Sequence, residues 1–187
     1  TEAGGATTSV SGTQSVTVSA VADAPTVGGT ATGNEDTVIA VPINVGLVDT
    51  DGTETLDHVT ISGVPATATF VITPAGGAIA TNMGGGVWTI TGPTADIIST
   101  LASGVTIQPG LHNGNDIPLT VTAVSTESNP TEGGDVAVPT ATTVGIVNVN
   151  VIPVAGAPTV TGGSFTTATG GQVVVTNGTY DTGGSLE

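Results

Sequence analysis

The segment Val144-Gly-Ile-Val-Asn-Val-Asn-Val-Ile152 alternates apolar and polar residues over its second half. Such a pattern suits a strand with one buried face, because successive strand side chains point to opposite sides. A second alternating stretch, Ser15-Val-Thr-Val-Ser-Ala-Val21, lies near the start of the chain. Each runs into nearly the same linker, Val21-Ala-Asp-Ala-Pro-Thr-Val27 in one case and Val154-Ala-Gly-Ala-Pro-Thr-Val160 in the other. The Ala-Pro pairs favour extended junctions, since Pro fixes its own φ and keeps its predecessor out of the helical region. A strand followed by a stiff linker, met twice, describes a β-protein organised as a repeat.

The repeat divides the chain. Residues 1–22 read as the terminal strand region of a preceding repeat or as the first strand of the module. Residues 23–155 read as a complete unit, and 156–187 as the start of a further repeat or as strands returning to the same sandwich. Within the unit, strands are expected over 37–45, 57–62, 68–73, 87–91, 105–107, 117–125 and 144–152. Turn dipeptides such as Asp51-Gly52 and Asn113-Gly114 separate them, and the Gly84-Gly85-Gly86 run demands a flexible or tightly bent loop. One departure from β pattern is Thr94-Ala-Asp-Ile-Ile-Ser-Thr-Leu101, where a Thr at the cap position precedes apolar residues at helical spacing. The expected fold is an all-β antiparallel sandwich with long loops and at most one short helix.

Charge narrows the function classes. The 187 residues include no Lys or Arg but 15 Asp and Glu, so no surface can attract nucleic acid or an anionic membrane. A hydrophobic share of 37% separates the chain from disordered acidic tails. Without cysteine there is no disulfide or thiolate chemistry, and bound metal is the obvious alternative staple. No apolar run is long enough to insert into a membrane. Catalytic signatures are missing too: there is no Gly-x-Ser-x-Gly elbow, no His-Glu-x-x-His and no phosphate loop, and the expectation is a chain that is not an enzyme.

The carboxylates are unevenly placed. Asp23, Glu35, Asp36, Asp49, Asp51, Glu54 and Asp57 fall within one short stretch, and no basic side chain exists to neutralise them. Calcium would do so, because it accepts six to eight oxygens from carboxylates and carbonyls in adaptable geometry. Magnesium is stricter in geometry, and zinc is disfavoured by two His and no Cys. Asp-Gly turns with merely solvated carboxylates are the bland alternative for any single position. Asp116, in the polar loop Leu111-His-Asn-Gly-Asn-Asp116, joins the metal candidates. The same loop supplies candidate ligand-binding residues His112, Asn113, Asn115 and Asp116, since long loops on a rigid scaffold are where recognition usually sits. Two other long loops are expected over 76–86 and 125–135. Trp88, flanked by Val87 and Ile90, is expected to pack in the core, and His58 to lie on the surface.

The ordered motifs Val21-Ala-Asp-Ala-Pro-Thr26, Asn34-Glu-Asp-Thr37, Val48-Asp-Thr-Asp-Gly-Thr-Glu-Thr-Leu56, Ile61-Ser-Gly-Val-Pro65, Val87-Trp-Thr-Ile90 and Leu119-Thr-Val-Thr-Ala123 resemble the tandem repeat of giant type 1-secreted RTX adhesins. The resemblance covers most of 21–160. It implies a cadherin-like or immunoglobulin-like sandwich, extracellular on a bacterial surface, with calcium at domain junctions and a role in biofilm or host attachment. Asp23, Glu35, Asp36, Asp49, Asp51 and Glu54 occupy the matching acidic positions. Partners implied are a protein, peptide or glycan of a host or neighbouring cell, and adjacent repeats of the same chain, the module itself being monomeric. Size and composition are also similar to a peptide-binding module of such an adhesin, with a calcium-rigidified spacer and a calcium-dependent glycan binder as the alternatives. Gly156 replaces the linker Asp at the second junction, so a calcium-stiffened junction there is not expected from the motif.

Overall fold

A computed structural model describes residues 4–5, 9–14, 21–49, 52–127 and 140–156, and the backbone of four short strands beyond them. The expected strand over 15–21 lies outside these residues except for Val21, as does Asp51.

The described strands are β1 (Thr26–Gly28), β2 (Thr30–Asn34), β3 (Ile39–Ala40), β4 (Asn44–Gly46), β5 (Glu54–Ser62), β6 (Thr69–Ile72), β7 (Ile79–Gly84) and β8 (Val87–Thr91). After helix α1 (Thr94–Ser103) come β9 (Val105–Gln108), β10 (Ile117–Glu127) and β11 (Thr140–Ile152). β12 (Thr159–Thr161), β13 (Ser164–Thr167), β14 (Val173–Thr176) and β15 (Thr179–Asp181) follow, pairing as β12 with β15 and β13 with β14.

A six-stranded sheet in the order β2-β11-β10-β5-β8-β7 and a three-stranded sheet β3-β9-β6 enclose one core, with β1 and β4 as a further pair. All pairings are antiparallel except β2 with β11. The architecture is an all-β sandwich with one short helix, as the alternating pattern predicts.

Alternation makes the core. On β10, Ile117, Leu119, Val121 and Ala123 point inward and are buried, while their neighbours are half-buried or exposed. Val147, Val149 and Val151 of β11 and Val59 and Ile61 of β5 extend that layer. Ile39, Val105, Ile107 and Phe70 face them from the smaller sheet, and Ile97 and Leu101 of α1 close the layer. Each fully buried aliphatic side chain contributes about 1.5–3 kcal/mol relative to exposure.

Several details differ from the sequence expectation. The strand expected over 37–45 is two short pieces, β3 and β4, separated by a segment containing Pro42, whose missing N–H cannot join a ladder. The long loop expected over 76–86 contains β7, an edge strand, and ends in a tight turn with Gly84, Gly85 and Gly86 all at positive φ. Thr94 does not cap α1. It is the first helical residue, and its hydroxyl accepts the Leu56 N–H at 3.0 Å. Trp88 is partly buried against the core beside Phe70.

β5 carries a bulge that matters for the site. Val124 of β10 faces His58 while Ser125 faces Leu56, so Asp57 is an extra residue with no counterpart. A one-residue insertion reverses the side-chain phase of everything before it. Val59 and Ile61 point inward, and because of Asp57 so do Leu56 and Glu54.

Candidate metal site

The inward rows of β5 and β10 end in acid. Beyond Ala123 the core-facing positions of β10 are Ser125 and Glu127, and those of β5 end at Glu54. Glu54 and Glu127 are direct cross-strand partners. Their relative exposures are 4% and 3%, and Ser125 is fully buried. Opposed residues have Cβ atoms about 4.5–5.5 Å apart, close enough for like charges to destabilise the pair.

The segment preceding β1 is tied into this pair. The Asp23 N–H donates to Glu54 Oε1 at 2.7 Å, and the Ser125 hydroxyl donates to the Asp23 carbonyl at 2.6 Å. The other oxygen, Glu54 Oε2, is buried and has no hydrogen-bond partner among the described residues. An orphaned buried carboxylate oxygen is costly unless a cation or donor meets it. The set of hard oxygens fits calcium, which accepts carboxylates together with carbonyls and water. Asp49 lies in the connection leading into β5, where it is half-buried and already engaged. Among the described residues no group of three or more His, Cys, Asp or Glu side chains converges, so the pair by itself is not a closed metal cage.

The other acidic candidates are elsewhere. The Glu35 N–H donates to the Ile152 carbonyl at 2.9 Å, and Glu35 Oε1 accepts the Val154 N–H at 2.8 Å. Asp116 Oδ1 accepts the Val151 N–H at 3.0 Å. Asp36, at φ 59°, accepts the His112 N–H on Oδ1 at 2.9 Å, and its Oδ2 lies 3.6 Å from His112 Nδ1. This second set sits where β2 and β11 end and β10 begins, while Glu54 and Glu127 sit where β10 ends. β10 has eleven residues, which at about 3.3 Å per residue separates the two poles by roughly 30 Å.

The single acidic junction suggested by closeness in sequence is therefore two poles. Asp23 and Glu54 belong to one, with Glu127. Glu35, Asp36 and Asp116 belong to the other, beside residues 153–156, which contain no acid. Asp57 stands apart at the bulge, with Oδ2 2.6 Å from His58 Nδ1 on the surface.

The polar atoms of the 111–116 loop are largely used internally. Asn113 Oδ1 accepts both the backbone N–H and the side-chain amide of Asn115, at 3.2 and 3.0 Å. The His112 ring itself is well exposed, at 65%. Glu127 was not singled out by sequence, although the alternation of β10 continued two residues past Ser125 leads to it.

No protein-family model matches the chain, and no curated protein matches it.

Proposed function

We propose that this chain is a calcium-binding module of a large extracellular bacterial adhesin, carried on the cell surface after type 1 secretion. The observation that carries the reading is the Glu54–Glu127 pair: two buried carboxylates face to face, one oxygen without a partner, in a chain with no Lys or Arg. Calcium held by Glu54 and Glu127 would supply the missing positive charge. Because Glu54 also holds the Asp23 N–H, the same ion would fix the linker entering the sandwich. The resemblance of the ordered motifs to RTX adhesin repeats supports the same reading.

A ligand-capturing role for the 111–116 loop is the second reading. The exposed ring of His112, held in a left-handed backbone by Asp36, favours it. A calcium-rigidified spacer needs no such feature. Thermal melts in millimolar calcium and in chelator test the main proposal, and identical melting in both would overturn it.

A further inference from the structure

The sandwich is open on one side. β7 ends the six-stranded sheet and β6 ends the three-stranded sheet, and among the described residues neither has a strand on its outer side. Between these edges lies a groove of about 250 Å³. Its floor is Phe70 and Trp88, whose rings are tilted by 56° with centroids 6.0 Å apart. Its walls are the turn around Val64 and Pro65 and the triple-glycine turn, joined where the Val64 N–H donates to the Gly86 carbonyl at 3.3 Å. The volume is below that of common small-molecule pockets, about 300–1,000 Å³, and suits one or two side chains.

Among the described residues the strand beside the groove is an unguarded edge. Ile79-Ala-Thr-Asn-Met-Gly84 carries no charge and no Pro, and Ile79 and Met83 are 61% and 65% exposed. Folded proteins normally protect such an edge with charges, Pro or bulges, because its free N–H and C=O groups template another strand. The irregularity here falls between Asn82 and Gly84, at the end of β7, and leaves Ile79 to Asn82 in regular register.

We propose that β7 and its groove take an extended peptide segment of another protein by strand addition. A peptide aliphatic or aromatic side chain enters the groove over Phe70 and Trp88, and basic residues flank it. Main-chain pairing supplies affinity in this mode and the side-chain pocket supplies selectivity. Charge decides the partner. The groove and β7 contain no charged residue, and the chain carries −15 with no Lys or Arg. Two copies of such a chain repel each other, whereas a basic strand is drawn in.

Trp88 is the only Trp in the chain, so its fluorescence reports on the groove floor alone. The probe is a synthetic extended peptide, Lys-Thr-Lys-Phe-Thr-Val-Lys-Thr, titrated into the whole chain in millimolar calcium. One control replaces each Lys with Glu, and another places Pro at alternate positions to remove ladder donors. The expected result is a saturable shift of Trp88 emission with the basic peptide, binding about tenfold weaker with the acidic one, and none with the Pro peptide. Ala66→Phe, on the exposed rim, fills the groove and lowers affinity about tenfold without changing the melt. Thr81→Lys, on the edge strand, does the same by repelling the peptide. No saturable shift, equal affinity for the Pro peptide, or undiminished binding by both variants overturns the proposal. So does an emission change that follows chain concentration without peptide, which would assign the edge to self-pairing.

Discussion

Glu54 and Glu127 stand directly opposite each other on adjacent antiparallel strands, both turned into the sandwich and both buried. In the absence of metal this pair opposes folding; calcium bound as proposed would turn it into a ligand set. The two states therefore respond in opposite directions to removal of one charge. In chelator, Glu54→Gln or Glu127→Gln should raise stability by about 0.2–1 kcal/mol, the size of a cross-strand charge term. In millimolar calcium the same variants should lose the calcium-dependent increment. Thermal melts of parent and variants, with and without calcium, measure both effects, and a variant that keeps the full increment would exclude that residue as a ligand.

The size of the increment follows from mass action. Extracellular sites bind calcium at about 10⁻⁴–10⁻³ M. At a free concentration one hundred times the dissociation constant, stabilisation is about 2.7 kcal/mol. The parent should gain stability with the logarithm of calcium once the site saturates, and magnesium at equal concentration should give less. A calcium-independent urea midpoint is the result that contradicts this.

Much of the fold was legible because its strands have one wet face. Val87 to Thr91 matches its expected extent, β10 and the second half of β11 alternate clearly, and β11 begins at Thr140, ahead of the expected strand over 144–152. β7 was missed because it is an edge strand with both faces largely exposed, so Ile79 to Met83 shows no period. The site was less legible for two physical reasons. Counting back in twos from Val59 puts Thr55 inward, and only the bulge at Asp57 turns Glu54 into the core. Glu35 and Glu54 are near in sequence, but the chain crosses the sandwich between them, so they end at opposite poles.

The bulge gives its own test. Deleting Asp57 restores a regular ladder and leaves Leu56 opposite Ser125 and Glu54 opposite Glu127, both still turned inward. Leu56 should therefore stay buried and the calcium increment should survive; a loss of about 1.5–3 kcal/mol, the size of exposing Leu56, would contradict this register. Asp57→Ser keeps the extra residue and should retain both stability and calcium response. Urea denaturation of the two variants separates the role of the inserted residue from that of its carboxylate.

The triple-glycine turn discriminates between backbone strain and contact. Gly85 has φ 61° and open space around it, whereas Gly86 has φ 76° and a Cβ there would sit 2.3 Å from the Val64 carbonyl oxygen. Gly85→Ala should cost about 1–2 kcal/mol, the left-handed penalty alone. Gly86→Ala must also push the Val64 turn away, so its loss should be larger and should alter the fluorescence of neighbouring Trp88. Equal losses in urea titrations would contradict the close approach.

At the opposite pole, Asp116 has a structural duty that any ligand-binding assay must respect. Its Oδ1 accepts the Val151 N–H, so Asp116→Ala removes a hydrogen bond of about 0.5–1.5 kcal/mol as well as a charge. Asp116→Asn keeps an acceptor and removes only the charge. Amide exchange at Val151 should accelerate in the Ala variant and stay near the parent in the Asn variant. Glu35 makes the parallel comparison, since its Oε1 accepts the Val154 N–H: Glu35→Gln should preserve protection at Val154 and Glu35→Ala should abolish it. If calcium binds at this pole too, the charge-neutral Asn and Gln variants lose calcium affinity while keeping these amides protected. Unchanged affinity in both would leave Glu54 and Glu127 as the centre of calcium binding.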